Sequence, residues 1–135
     1  MGRQHSIRRK RRGVAASELA VCLPVLVLLV LAMIEACTMI FLKQSLTVSA
    51  YEGVRVALEP GADTSEVQAA ANSVLSDRRV RNGSVAVTPS NWETLAPGEY
   101  VTVTISAPAN RNSVIPGSFF RGKTLTAAAT MMKEF

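Results

Sequence analysis

A chain of 135 residues is enough for one domain, and a membrane helix would leave under about 100 residues for a soluble module, few for a self-sufficient core. The net charge of +5 is not a basic face: Arg3, Arg8, Arg9, Lys10, Arg11 and Arg12 hold six of the fifteen positive charges in a short, irregular-looking tail. After Gly13, nine basic side chains face ten acids, which argues against a nucleic-acid binder, whose positive charge must sit on a folded surface.

From Leu19 to Ile34 no side chain is polar, and after Glu35 the apolar character resumes through Met39, Ile40, Phe41 and Leu42. As a helix, Leu19 to Leu42 would run about 36 Å, against a hydrocarbon core of about 30 Å, so it spans a bilayer with some tilt. The positive charges precede it and only Lys43 and Arg55 follow closely. The positive-inside rule therefore predicts a cytoplasmic N-terminus and an outer location from Gln44 onward. A cleaved secretory signal would have a shorter apolar core with a small-residue site behind it. Here Arg11-Arg12-Gly13 precedes the run, and Ala15, Ala16 and Ser17 open it. Cys22 and Cys37 lie about 22 Å apart along such a helix, too far to bridge, and read as small hydrophobes.

The string Gly13-Val14-Ala15-Ala16-Ser17-Glu18, set between a basic leader and an apolar run, resembles the type IV prepilin signal. The resemblance implies that a membrane aspartyl prepilin peptidase cuts between Gly13 and Val14. Glycine lets a peptidase approach the backbone, and the polybasic leader holds the site at an anionic lipid surface. Glu18 enters the first turns of a membrane helix, where an acid is costly without a partner. Cleavage would supply one, the new α-amine of Val14. The family implication is a contact with the amine of a neighbouring subunit that favours extraction from lipid and sets axial register; an intrachain pair four residues apart is the competing reading.

Beyond the cut the chain is similar to the TadE-like family of tight-adherence (Tad/Flp) pilus assembly proteins. The matching stretches are Ala16-Ser17-Glu18-Leu19-Ala20 with Leu23-Pro24-Val25-Leu26, Met33-Ile34-Glu35-Ala36, Ala50-Tyr51-Glu52-Gly53-Val54-Arg55, and the segment Thr124 to Met131. The resemblance implies a pseudopilin of the bacterial inner membrane whose partners are the prepilin peptidase, other pilus subunits, the assembly platform and the lipid bilayer. Tyr51 and Val54 depart from that family's common residues. Major pilins of such systems are little more than the helix, so the larger outer module points to a minor component. Pro24 can bend the helix and tune packing, or is tolerated, as prolines are in membrane helices. Glu35 lies close to the outer interface, where it snorkels or pairs with a neighbouring helix.

Past the span, Gln44 to Leu58 continues as a protruding helix, with Gly53 permitting close helix packing or a bend, and Glu59-Pro60-Gly61 ends it. Residues 1–13 thus read as a leader, 14–59 as a long helix and 60–135 as a small outer module. Asp63 with Glu66 is close to a capping box. Val67, Ala70, Ala71, Val74 and Leu75 form one face of an amphipathic helix, closed by Asp77-Arg78-Arg79, read as a solvated end. Asn82-Gly83 is a turn signal; with Ser84 it also matches a glycosylation sequon, for which the turn is sufficient explanation. Val85 and Val87 alternate, Pro97-Gly98 turns, and Val101, Val103, Ile105 and Ala107 alternate with hydroxyl residues as a half-buried strand. A loop from Pro108 to Lys123 precedes a second alternation at Leu125, Ala127, Ala129 and Met131. Two to four antiparallel strands against helices give an α+β module, covered by Trp92, Phe119 and Phe120. The loop carrying Asn110, Asn112, Pro116 and Gly117 is the expected mobile or partner-contacting segment.

One histidine, His5 in the tail, leaves little for Ser-His, Cys-His or histidine-metal chemistry. No phosphate-cradling glycine loop is present and the outer acids are scattered. The expectation is a non-enzymatic protein without cofactor or metal. Two functions remain: a processed minor pseudopilin, or an unprocessed bitopic membrane protein that scaffolds an envelope or secretion complex.

Overall fold

The computed structural model describes residues 5–115 and 120–134, with side chains from Gly13 onward. Helix α1 runs His5–Ala57 without interruption, through Pro24. The basic residues expected as an irregular tail are helical from His5. Arginine and lysine are good helix formers, and no proline stands before Pro24 to stop the helix. The chain divides into two compact units, Met1–Ala36 and Cys37–Phe135.

The first unit is the N-terminal part of α1. Its large apolar side chains from Leu19 to Ile34 are exposed all round the helix. Such a surface has no place in water, and α1 is long and apolar enough to cross a membrane.

The second unit takes its core from the rest of α1. Leu42, Leu46, Ala50, Val54 and Ala57 are buried, spaced by three or four residues, which is one helix face. The residues beyond Leu42 are therefore not a free protrusion, and Leu42, counted with the span in the sequence, belongs to this core. The helix end at Glu59-Pro60-Gly61 does not separate the module from α1.

After a turn in which Ala62 N–H donates to the Glu59 carbonyl, α2 spans Thr64–Asp77. Its capping box is complete: Glu66 N–H donates to Asp63 Oδ1 at 2.9 Å and Asp63 N–H to Glu66 Oε2 at 3.2 Å. The Ser65 hydroxyl, then the Glu66 amide, hold the Asp63 carboxyl below its usual range. A second acid meets the same helix start. Thr64 donates from its hydroxyl (2.7 Å) and its N–H (3.1 Å) to Glu93 Oε1, and Trp92 Nε1–H donates to Thr64 Oγ1 at 3.2 Å. Trp92, in the short 3-10 turn Trp92–Thr94, is thereby fixed in the core. Val67, Ala71 and Leu75 are buried, and Ala70 and Val74 are half-buried beside them. At the other end, Arg79 N–H donates to Ser76 O and Val80 N–H to Leu75 O, a Schellman closure. Its left-handed position, usually glycine, is held by Arg79 with φ +56°.

Strands β1 (Ser84–Thr88), β2 (Tyr100–Pro108) and β3 (Thr124–Met132) form one antiparallel sheet in that order. Val85 pairs with Ile105 and Val87 with Val103; Val103 pairs on its other side with Ala129 and Ile105 with Ala127. The register puts the apolar residues of all three strands on one face, with Val101, Val103, Ile105 and Ala107 fully buried. Gly98, at φ +93°, occupies the turn position after Pro97 that only glycine adopts freely. The Ser49 hydroxyl donates to the Ala71 carbonyl at 2.8 Å, and the Lys43 ammonium donates to the Thr126 carbonyl on β3.

The expected loop after β2 opens with a helical turn. Ala109–Asn112 forms the short helix α3. Asn112 accepts from Arg81 N–H at 2.8 Å and donates to the Arg81 and Pro108 carbonyls at 3.0 and 2.9 Å. Asn112 is thus a tether, not a mobile contact residue. Pro116, Gly117 and Phe119 lie outside the described residues, and Phe120 is half-buried.

Gly53 has a definite role in this packing. A Cβ there would stand 3.1 Å from Val103 Cγ1, 3.5 Å from Ala71 Cβ and 3.7 Å from Val67 Cγ1. The glycine lets α1 approach β2 and α2 of its own chain. Gly53→Leu should lower stability by about 1–3 kcal/mol through overpacking, read as a lower thermal midpoint of the detergent-solubilised chain. An unchanged midpoint would refute this contact. A carboxyl with a depressed folded pKa contributes stability that is full above its unfolded value of roughly 3.9 and is lost as pH falls through the folded value. The thermal midpoint should therefore drop on acidification below about pH 4, and drop less in Asp63→Asn, which keeps a cap that does not titrate.

Candidate processing and assembly site

The sequence-predicted residues at Gly13 to Glu18 lie in one and a half turns of α1. A Cβ at Gly13 would meet no atom within 4 Å, so no packing within the fold requires glycine there. In a helix interior glycine is about 1 kcal/mol less favourable than alanine. The residue is thus a local weakness without a structural return. A peptidase that takes its substrate extended must unwind this turn, and Gly13 lowers the work of doing so.

Val14 is 57% exposed. The Ser17 hydroxyl donates to the Val14 carbonyl at 2.7 Å, a back-bond that competes mildly with the helix ladder. Ser17 was not singled out in the sequence beyond its small size. Glu18 is exposed and follows Val14 by four residues, so both lie on one face of α1. An amine created at Val14 would therefore lie on the same side as Glu18. The helix also presents this carboxylate outward to any neighbour.

The other predicted positions are not gathered at this site. Pro24 lies within unbroken helix. Glu35 is buried, 8% exposed, and engaged. Gly53 serves the module core. Cys22 and Cys37 are both free and exposed. Among the described residues no three His, Cys, Asp or Glu side chains are grouped to hold a metal ion. Glu52 and Arg55, in the third of the stretches that resemble the family, form an ion pair at 2.6 Å. That pair lowers the Glu52 pKa and raises that of Arg55, but being exposed and one turn apart it adds little to stability.

Gly13→Ala should keep or raise the helix content of the purified chain, measured by far-UV circular dichroism. A loss would mean that the glycine is structural.

No curated protein and no solved structure matches the chain. Residues 13–55, about a third of the chain, match the family described as TadE-like protein, which begins at the predicted cleavage glycine, ends at Arg55 and links this segment to a Tad pilus-related role.

Proposed function

We propose that this chain is a minor pseudopilin of a Tad/Flp-type pilus, made as a precursor in the bacterial inner membrane and cut by prepilin peptidase between Gly13 and Val14. The carrying observation is Gly13, a glycine that the fold does not use, placed between a basic leader and an apolar helix. The leader stays cytoplasmic by its charge, and the chain from Gln44 onward lies on the outer side. Once cut, the Val14 amine and Glu18 neutralise each other between neighbouring subunits, which lowers the cost of an acid in apolar surroundings. The module of three strands and α2, already on the outer side, then meets other pilus subunits or the assembly platform. The rival reading is an uncut bitopic scaffold for an envelope or secretion complex.

Intact mass separates the two. In cells that hold the peptidase the product should lack Met1 to Gly13, and Gly13→Leu should retain them. A full-length product in both cases would overturn processing. Glu18→Val should still be cut yet be lost from sheared filaments and remain in the membrane. Equal recovery in filaments would remove the proposed role of that carboxylate.

A further inference from the structure

The second unit contains a cavity of about 640 Å³, within the size range of small-molecule sites. Phe41, Leu42 and Val80 supply apolar wall, and Asp77, Arg78 and Arg79 supply charge. Phe41 and Leu42 are also the last residues of the apolar segment that begins at Leu19. The cavity therefore opens where that segment passes into polar sequence, the level at which a bilayer presents its headgroups.

Arg78 is half-buried and Arg79 exposed, and both are free to take an anion. Among the described residues neither guanidinium has an ion-pair partner; the ion pair found there is Glu52 with Arg55. Asp77 adds one negative charge to the wall, so the two arginines leave the site net positive. Arg79 also takes the left-handed position that closes α2, with φ +56°. Glycine is the unstrained residue there, and a long side chain carries a conformational cost. An arginine held at that cost, beside a second arginine and an apolar wall, fits a group with an anionic head and a hydrocarbon tail.

We propose that this cavity binds the phosphate headgroup of an anionic phospholipid, with Arg78 and Arg79 on the phosphate and the first acyl carbons along Phe41, Leu42 and Val80. Arginine forks match phosphate oxygens. Both arginines lie outside residues 1–13, so the site is the same in the cut and the uncut chain. Its failure would leave the pilus reading untouched, and the reverse also holds.

The test is native mass spectrometry of the full-length, delipidated chain in a neutral detergent, titrated with phosphatidylglycerol, phosphatidylcholine, or inorganic phosphate. One phosphatidylglycerol should bind per chain, ahead of phosphatidylcholine. Each arginine near a phosphate surface is worth about a fivefold change in binding, so R78Q with R79Q should weaken it by roughly 25-fold. Arg79→Gly separates binding from folding: it should weaken the lipid about fivefold while holding or raising the thermal midpoint, because it relieves the backbone. Equal binding of both lipids, equal binding by the arginine variants, or saturation by inorganic phosphate at the same concentration would each overturn the proposal.

Discussion

One continuous helix has to satisfy two solvents. From Leu19 to Ile34 α1 shows apolar side chains on every side, which only lipid or other membrane helices can cover. Over its last four turns it buries one apolar stripe, Leu42, Leu46, Ala50, Val54 and Ala57, with Ser45 and Ser49 buried beside it. No break separates the two regimes. Within the second unit, α1 itself supplies a wall of the core, from Leu42 to Ala57. Gly53 makes that wall close, since β2 and α2 come within contact distance of its missing side chain.

The rest of the module closes around that wall by local means. Asp63 and Glu93 both serve the start of α2, one from its own chain neighbourhood and one from a distant turn. Anions there satisfy orphan amides and oppose the positive end of the helix dipole. Trp92 is buried as a consequence of the same junction, its indole N–H satisfied by Thr64. The Ser49 hydroxyl and the Lys43 ammonium tie α1 to α2 and to β3 through backbone carbonyls. The first of these satisfies a buried hydroxyl, since Ser49 is fully buried.

Much of this was legible in the residues. The capping box, the period-two alternation of β2 and β3, the Pro97-Gly98 turn and the apolar span are local patterns, and local patterns survive folding. The buried stripe of α1 was harder to see, because Ser45, Ser49, Ala50 and Ala57 are small and weigh little on any hydropathy scale. Their shared face appears only when a sheet is laid against it. Glu93 was missed for a different reason: it acts on Thr64, 29 residues earlier, and no spacing rule reaches that far. Arg79 reads in sequence as one charge among three, and its left-handed backbone is set by the closure of α2. At the N-terminal site the sequence named Gly13, Val14 and Glu18 from their order alone, and the fold adds that they sit on an exposed, otherwise unused turn.

Because α1 lends its face to the core, the order of synthesis matters. The ribosome releases α1 first and β2 about fifty residues later, an interval on the order of several seconds at ordinary translation speed. During that time Leu46 and Val54 have no sheet to cover them, and the stripe they form is completed only when β2 arrives.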